Sequence, residues 1–177
     1  MDVIDELLPG CFLLKPKIVK DHRGCFVKTY HKGLFKALDF EMEIREEFFS
    51  ISHKNVLRGM HFQLPPHDHE KLVYCPRGAV LDVLLDLRLG STYGQVASAK
   101  LSAENGHLIY IPKGFAHGFI ALEDETLMLY KTSTVHMAEF DFGILWDSFG
   151  FNWGVDQPII SLRDAQHIAF AKFDSPF

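Results

Sequence analysis

The stretch Gly106-His-Leu-Ile-Tyr-Ile-Pro-Lys-Gly-Phe-Ala-His117 decides the fold, because two apolar runs flank a turn within it. Residues 107–111 have the composition of a buried strand, and Pro112-Lys113-Gly114 supplies a tight turn before a return strand begins at Phe115. The alternation of side chains along that return strand predicts that His117 points into the mouth of a barrel. The pattern is specific for a fold rather than for a chemistry.

Outward from this segment, short runs rich in aromatic and β-branched residues cover most of the chain, each bounded by turn residues. The predicted strands are 11–19, 25–30, 47–53, 56–63, 72–75, 79–87, 95–101, 107–111, 115–122 and 126–134. About ten strands at this spacing predict an antiparallel sandwich or barrel. Apolar Leu34, Phe35 and Leu38 predict a short helix over 31–40. Residues 161–170 fit either a helix or a wrapping arm, and periodicity does not decide between them.

The composition indicates one folded domain over residues 1–177. Hydrophobic residues make up 47% and charged residues 23% of the chain, which excludes a disordered protein. The net charge of −5 disfavours a nucleic-acid partner, whose binding site is a basic patch. The net charge does not exclude a small anionic ligand held by a few local cations.

Three cysteines without CxxC spacing, Cys11, Cys25 and Cys75, favour a reducing compartment, so we expect a cytoplasmic protein. The first ten residues, MDVIDELLPG, are acidic and lack the apolar stretch of a signal peptide. No window of the sequence contains 18 apolar residues, so we expect no membrane span and no membrane partner.

Ten histidines make this residue type a candidate for chemistry. In a strand, His61 shares one face with Gly59 and Gln63, and its simplest interpretation is a core histidine bonded to a backbone carbonyl. His67 and His69 form a His-x-His pair such as metal-binding cupins carry. Those proteins place a Glu shortly after the pair, whereas positions 73 and 74 here are Val and Tyr. We therefore interpret 65–70 as a polar loop rather than a metal site.

Three cations, Arg23, Arg58 and Lys71, lie in separate short segments between apolar runs. Such charges usually form a solvated rim. If they converge inside one barrel, they would bind a diphosphate through charge-assisted hydrogen bonds. The sequence alone does not establish that convergence.

Ten segments follow one another in the order found in one family of enzymes. They are Asp21-His-Arg-Gly-Cys-Phe26, Val56-Leu-Arg-Gly-Met-His-Phe-Gln-Leu-Pro-Pro66, Lys71-Leu-Val73, Gly78-Ala-Val-Leu-Asp-Val83, Asp86-Leu-Arg88, Leu101-Ser-Ala-Glu-Asn105, Ile111-Pro-Lys-Gly-Phe-Ala-His-Gly-Phe119, Tyr130-Lys131, Gly143-Ile-Leu-Trp-Asp147 and Pro158-Ile-Ile-Ser-Leu-Arg-Asp164. On these segments the chain resembles the dTDP-4-dehydrorhamnose 3,5-epimerase family. The resemblance implies an all-β, double-stranded β-helix jelly roll (cupin) with short helices, a homodimer, and a reaction without metal or organic cofactor.

The resemblance also implies roles for individual residues. His61 matches the general base, Asp164 the carboxylate that orients it, and Tyr130 the general acid. Lys71 matches a cation near the C4 oxygen of the sugar. The substrate-binding positions that follow from the resemblance are Arg23, Phe26, Lys28, Glu46, Phe48, Arg58, Gln63, His117 and His136. Of these, Arg23 and Arg58 match diphosphate ligands, and Phe26 matches an aromatic side chain beside the base.

The implied substrate is a nucleotide-diphosphate-linked 4-keto-6-deoxy sugar that is inverted at C3, C5 or both. A hydrogen α to the C4 ketone is acidic because the carbanion delocalises into an enolate, and a neutral imidazole can remove it. Lys71 would stabilise the enolate oxygen. Tyr130 would reprotonate the opposite face if nearby cations lower its pKa.

Several positions depart from the family pattern. Lys28 replaces a Glu, Glu46 and Phe48 replace a Gln-x-Asn pair, and Val135 and His136 replace a Tyr-Tyr pair. We hypothesise that the nucleotide carries guanine or cytosine instead of thymine. The alternative is that these side chains face solvent and change nothing.

Other functions stay open on the sequence. A single-centre epimerase or a 3,4-ketoisomerase would use the same sugar with a different outcome. A metal-dependent cupin and a non-catalytic sugar-binding cupin belong to different classes. The absence of a Glu at positions 73 and 74 disfavours the metal-dependent class. The joint presence of His61, Lys71, Tyr130 and Asp164 disfavours a purely binding role.

Overall fold

A computed structural model describes residues 1–40 and 42–177, which form thirteen β-strands and one short α-helix. The strands are β1 (Asp2–Leu8), β2 (Cys11–Lys15), β3 (Ile18–Asp21), β4 (Gly24–Val27), β5 (Glu46–Ser52), β6 (Leu57–Gln63), β7 (Lys71–Arg77), β8 (Ala79–Asp86), β9 (Val96–Ser102), β10 (Leu108–Ile111), β11 (Phe115–Ala121), β12 (Thr126–Thr132) and β13 (Asp141–Gly143). The helix α1 spans Lys32–Lys36, and single 3₁₀ turns occupy Ala138–Phe140, Asp164–Gln166 and Phe170–Lys172.

The strands form two antiparallel sheets and a separate hairpin. The six-stranded sheet has the order β1-β2-β10-β7-β12-β5, and the five-stranded sheet has the order β13-β6-β11-β8-β9. Strands β3 and β4 pair only with each other. Neighbours in each sheet are mostly distant in sequence, as in a jelly roll, so the predicted all-β jelly roll with short helices is confirmed.

The core is built from the alternation of side chains on the central strands. On β8, Val80 and Leu84 join the cluster between the two sheets, where they meet Val73 and Met128 of the six-stranded sheet. Val83 and its neighbours on the other face of β8 join a second cluster. Because both faces of β8 are covered, its sequence reads as a nearly continuous apolar run.

The C-terminal segment covers the outer face of the five-stranded sheet. Phe170, Phe173 and Phe177 pack on the second cluster, and the Phe62 ring lies 5.3 Å from that of Phe173. The range 161–170 contains isolated 3₁₀ turns instead of a helix, so the wrapping arm is the correct one of the two predicted alternatives.

Three local predictions were imprecise. The predicted strand 11–19 is two strands, because Pro16 lacks the N–H that a continuous ladder needs. The helix predicted over 31–40 is only α1, which His31 caps by accepting from the Leu34 N–H and which is followed by left-handed Asp39 (φ 59°). Strands β1 and β13 were missed, since β1 is acidic and exposed and β13 has three residues.

Two glycines bring β6 and β11 into close contact. Gly59 has φ of +144°, and a Cβ atom there would lie 2.5 Å from the Gly118 Cα. Only residues without side chains fit such an approach. The ladder shifts register at this point, and on its other side His61 pairs directly with His117.

Within the described residues, no helix has the length and apolar character required to cross a bilayer.

Candidate active site

A cavity of about 410 Å³ opens between the two sheets. Its lining residues are Glu46, Phe48, Ser50, Arg58, His61, Phe62, Gln63, His69, Lys71, His117, Phe119, Tyr130, His136, Asp141 and Arg163. The five-stranded sheet contributes His61 from β6 and His117 from β11, and the six-stranded sheet contributes Lys71 from β7 and Tyr130 from β12. The cavity is therefore lined by ionisable side chains from two opposed walls.

His61 and Asp164 form a hydrogen-bonded pair at one wall. The His61 Nε2 lies 2.9 Å from the Asp164 Oδ1, and the Gly59 N–H donates to the other oxygen at 3.2 Å. The 3₁₀ turn that carries Asp164 is fixed by Ser161, whose Oγ accepts from the Asp164 N–H at 3.0 Å. Sequence reasoning paired these two residues only through the family resemblance, and the fold brings them together across 103 positions.

The electrostatics favour a neutral imidazole beside an ionised carboxylate. Burial lowers the pKa of His61 and outweighs the opposing effect of Asp164, so the ring is neutral near pH 7. Burial tends to raise the pKa of Asp164, but the imidazoles of His167 and His61 and the Gly59 N–H bring it well below its usual range. The ionised carboxylate accepts from His61 Nε2, which leaves Nδ1 as the nitrogen able to take a proton.

Lys71 is a buried cation next to this pair. Its ammonium group donates to the His61 backbone carbonyl at 3.0 Å. Burial lowers the pKa of Lys71 to about 8, against the opposing charges of Asp141 and Asp82. A cation so poorly hydrated interacts strongly with any negative charge that develops in the cavity.

Tyr130 is held on the wall opposite His61. The Phe48 ring stacks on the Tyr130 ring with centroids 4.7 Å apart and planes 12° from parallel. Burial raises the pKa of Tyr130, and Arg58 offsets this effect only in part. The condition that nearby cations lower this pKa overall is therefore not met, since desolvation outweighs the effect of Arg58, and the phenol is neutral and carries its proton.

His117 belongs to a second buried pair. Its Nε2 lies 2.8 Å from the Asp82 Oδ2, and both side chains are almost completely buried. Burial raises the pKa of Asp82, while the charge and hydrogen bond of His117 oppose the shift. The pair places a second imidazole directly beside His61 on the floor of the cavity.

The remaining predicted binding residues in the cavity are held by hydrogen bonds, Arg58 and Glu46 toward its rim and Gln63 inside it. The Arg58 Nε donates to Ser52 Oγ at 3.1 Å, and Glu46 accepts from the His136 N–H at 2.7 Å. Gln63 is buried and holds two loops, because it donates to the His67 carbonyl at 2.7 Å and accepts from the Met137 N–H at 2.6 Å.

Three predicted binding residues lie elsewhere in the single chain. Arg23, Phe26 and Lys28 belong to the β3–β4 hairpin and the segment after it, outside this cavity. Arg23 is paired with Asp21 at 2.6 Å and its side chain is 79% exposed. Phe26 is 63% exposed. Within one chain, Arg23 therefore does not converge with Arg58 and Lys71.

The two loop histidines have separate environments. The His67 ring packs on Phe140 with centroids 4.5 Å apart. The His69 ring lines the cavity near Gln63 and Thr134, and burial lowers the pKa of His69 to about 2. These contacts fit the interpretation of 65–70 as a polar loop.

Sequence reasoning missed Arg163 and Asp141, which form an ion pair at 2.7 Å in the cavity wall, and His167, which lies behind Asp164. The sequence could have indicated Arg163, because this residue is adjacent to Asp164 in the chain. No pattern in the sequence marks Asp141, because β13 is too short to recognise.

Comparisons with known proteins place this geometry in a family. The sequence model of the dTDP-4-dehydrorhamnose 3,5-epimerase family matches residues 5–172. A dTDP-4-dehydrorhamnose 3,5-epimerase of Shigella flexneri is 38% identical over an alignment of 178 positions that covers 98% of each chain. A structure of dTDP-6-deoxy-D-glucose-3,5-epimerase from Legionella pneumophila in complex with dTDP-4-keto-L-rhamnose has a TM-score of 0.93, 33% identity, and covers 98% of this chain and 94% of that chain. A dTDP-4-dehydrorhamnose 3,5-epimerase structure from Bacillus anthracis, with TDP and PPi bound, has a TM-score of 0.91, 35% identity, and covers 94% of this chain and 97% of that chain. On this agreement of sequence and structure, the chain belongs to the dTDP-4-dehydrorhamnose 3,5-epimerase family.

Proposed function

We propose that the protein epimerises C3 and C5 of a nucleoside-diphosphate-linked 4-keto-6-deoxy sugar without a cofactor. The observation that carries this proposal is the placement of His61 and Tyr130 on opposed sheets that line one cavity. Inversion of a carbon centre requires a base on one face and an acid on the other. A cavity with both groups on facing walls meets that requirement.

The first step is proton abstraction by His61. Its neutral imidazole takes a proton from the carbon next to the ketone, and the electrons of that C–H bond form an enolate with its charge on the C4 oxygen. Such general base catalysis contributes about 10² to 10⁴ in rate. Asp164 fixes the ring tautomer and stabilises the imidazolium that forms. Lys71 stabilises the enolate oxygen.

The second step is reprotonation by Tyr130. Its phenol gives a proton to the opposite face of the same carbon while the enolate electrons re-form the ketone. Arg58, which lowers the pKa of Tyr130, stabilises the transient phenolate. Proton exchange with water then restores Tyr130 and His61 for the next turnover.

Substrate recognition rests on Arg58 and on the rim residues Glu46, Phe48 and His136. Arg58 is suited to the diphosphate because a guanidinium offers paired donors to phosphate oxygens. The structure of the Legionella pneumophila relative contains a thymidine-linked sugar. Here a carboxylate at Glu46 lines the cavity, which supports the hypothesis that the nucleotide carries guanine or cytosine, whose amino groups donate hydrogen bonds, instead of thymine.

We further propose a homodimer in which the β3–β4 hairpin reaches a second chain. The hairpin exposes Phe26 and Val19, and the edge strand β1 exposes Val3 and Ile4. An unpaired edge with apolar side chains favours pairing with another chain. The hairpin residues Arg23, Phe26 and Lys28 would then complete the binding site of the partner.

We place the protein in the cytoplasm as one unit over residues 1–177. The support for this location is chemical, since Cys11, Cys25 and Cys75 are all described and all unpaired. Free thiols are characteristic of a reducing compartment.

Solvent deuterium incorporation tests the proposed reaction. The protein is incubated in D₂O with 4-keto-6-deoxy sugars linked to thymidine, guanosine or cytidine diphosphate, and the products are weighed by mass spectrometry. Two deuterium atoms on one of these sugars are expected, and His61→Asn should abolish their uptake. One deuterium would indicate a single-centre enzyme, and none on any sugar, with folded protein, would contradict the proposal.

A further inference from the structure

A second histidine lies behind the proposed base. His167 belongs to the C-terminal arm, three positions after Asp164, and its Nε2 lies 3.6 Å from the same Oδ1 atom that His61 contacts. The His167 side chain is only 11% exposed. Its Nε2 is buried and, among the residues that the structure describes, makes no hydrogen bond. An unsatisfied buried nitrogen aimed at a carboxylate calls for an explanation.

The three side chains have the geometry of a metal-ligand set. One donor atom each of His61, Asp164 and His167 lies within 4.8 Å of the other two. Zinc bonds of about 2.0–2.2 Å in a tetrahedron separate neighbouring ligand atoms by about 3.3 Å. The two nitrogen-to-Oδ1 distances, 2.9 and 3.6 Å, lie on either side of that value. Small shifts of the two rings would therefore bring the three donors to one ion.

The chemistry of the donors selects the class of ion. Two imidazoles and one carboxylate suit Zn²⁺ and similar divalent transition metals. Magnesium prefers oxygen ligands in an octahedron and is disfavoured by two nitrogens.

The surrounding backbone accommodates the His167 ring. A Cβ atom on Gly143 would lie 2.4 Å from His167 Nε2, so the ring occupies the space that a side chain at position 143 would fill. Gly143 is also the register partner of His61 on the neighbouring strand. The β6–β13 pair thus holds both imidazoles next to Asp164.

An entry path exists on the side away from the substrate. A second cavity, about 530 Å³ in volume, is lined by His167 and Gly143 and also by the acids Asp141 and Asp174. The Asp174 carboxylate attracts cations, whereas Asp141 is paired with Arg163. A metal ion can therefore approach His167 from this cavity while a sugar occupies the first one.

We propose that His61, Asp164 and His167 bind one Zn²⁺ ion that inhibits the enzyme. The inhibitory effect rests on the proposed function of His61, while the binding site rests on geometry alone. The ion takes the lone pair of His61 Nε2, and the single proton of the neutral ring moves to Nδ1. Neither ring nitrogen can then accept a proton from the sugar. The ion takes no part in the reaction itself.

Zinc binding to metal-stripped protein tests the site directly. Isothermal titration calorimetry with Zn²⁺ alone should show one tight ion per chain for the wild type. His167→Gln should weaken that binding by at least about tenfold, since even indirect partners of a metal contribute that much. The matched control is His53→Gln, because His53 lies 3.8 Å from Asp124 and 4.0 Å from Glu125 on the surface. Equal zinc affinity for His167→Gln and the wild type would overturn the proposal.

Kinetics separate this inference from the proposed function. With each variant compared to its own metal-free rate, Zn²⁺ should lower kcat of the wild type and of His53→Gln without raising KM, while His167→Gln should resist. An increase in KM would place the ion in the substrate cavity and contradict the proposal, as would tight binding without inhibition. Magnesium should have no effect. If no sugar is epimerised, the proposed function fails, yet the calorimetry still decides whether the site exists.

Discussion

The ring of Phe48 lies flat against the ring of Tyr130, with their centroids 4.7 Å apart. Phe48 is 45% exposed, so its removal leaves the core intact, but it frees the phenol to rotate. An aromatic pair of this kind contributes about 0.5–1.5 kcal/mol, which corresponds to a loss of about two- to tenfold in rate if only the catalytic orientation depends on it. We expect Phe48→Ala to lower kcat by that amount.

The control for this prediction is Phe49→Ala, a change of the adjacent, 63% exposed side chain on the other face of β5. Its rate should stay within about twofold, as for most surface substitutions. Deuterium exchange provides a second readout, because proton removal by His61 should persist in Phe48→Ala while inversion slows. Equal losses in both variants would show that the stack has no catalytic role.

The lowered pKa of Lys71 leads us to expect that activity falls at alkaline pH. Its pKa of about 8 means that the ammonium is charged below pH 8 and loses its charge above it. Because the enolate requires that charge, kcat/KM should fall as the pH rises through 8. Lys71→Met should reduce kcat by about 10² to 10³ at neutral pH, as for the loss of one oxyanion donor.

The loss of activity at alkaline pH can be distinguished from unfolding, because the contribution of Lys71 to folding stability changes with pH in the opposite direction. The unfolded state keeps Lys71 near its ordinary pKa of 10.5 and so binds more protons between pH 8 and 10.5. Through this residue, folding stability therefore increases with pH in that window. Circular dichroism should show a folded protein at pH 9 with reduced activity. A constant kcat/KM from pH 7 to 9.5 would be incompatible with the role of Lys71.

The carboxylate of Glu46 leads us to expect a preference among the bases of the nucleotide. A carboxylate only accepts hydrogen bonds, so it favours bases with exocyclic amino donors over thymine, whose single N3–H donor is flanked by two carbonyl oxygens that repel it. We expect Glu46→Gln to raise kcat/KM for the thymidine-linked sugar relative to the guanosine-linked sugar by about tenfold, the discrimination that one hydrogen bond typically provides.

The neighbouring Glu47→Gln is the matched control, because Glu47 pairs with Lys131 at 2.5 Å outside the cavity. Its selectivity ratio should equal that of the wild type. If Glu46→Gln also leaves the ratio unchanged, the rim departures from the family pattern have no bearing on the base.

The buried pair of Asp82 and His117 predicts a stability effect. Asp82 is completely buried, and its Oδ2 lies 2.8 Å from His117 Nε2. Removing Asp82 leaves the buried His117 ring without its hydrogen-bond partner, which costs about 1–3 kcal/mol. We expect Asp82→Ala to lower the free energy of unfolding by that amount in urea titrations. The exposed Asp124→Ala should change it by less than about 0.5 kcal/mol.

Strand prediction succeeded where side-chain alternation and turn residues coincide. Strands β10 and β11, on either side of Pro112 and Gly114, are an example, since the composition of both strands and the turn chemistry agree, although the two strands join different sheets instead of pairing with each other. It failed for β1, because the acidic residues of this strand suit an exposed sheet edge but have low β-propensity. Short strands such as β13 form only because a neighbouring strand, here β6, supplies hydrogen bonds. The local sequence of β13 does not indicate which strand lies beside it.

The candidate site was likewise predictable only in those features that local sequence determines. His61 is visible as a residue on a strand face, but nothing local links it to Asp164, and the family resemblance supplied the pair. The positions of Arg23, Phe26 and Lys28 relative to the cavity depend on chain topology and on assembly, which periodicity does not encode. Tyr130 shows a further limit, because its pKa depends on how deeply the fold buries it.

The C-terminal arm also has a consequence for the order of biosynthesis. Asp164 lies 103 positions after His61, so a ribosome completes most of both sheets before the carboxylate is made. Until the arm docks, His61 lacks the partner that fixes its tautomer, and the outer face of the five-stranded sheet is uncovered. A nascent chain therefore contains the strands of its cavity walls before it contains the Asp164 carboxylate, and in the proposed mechanism docking of the last segment completes the catalytic pair.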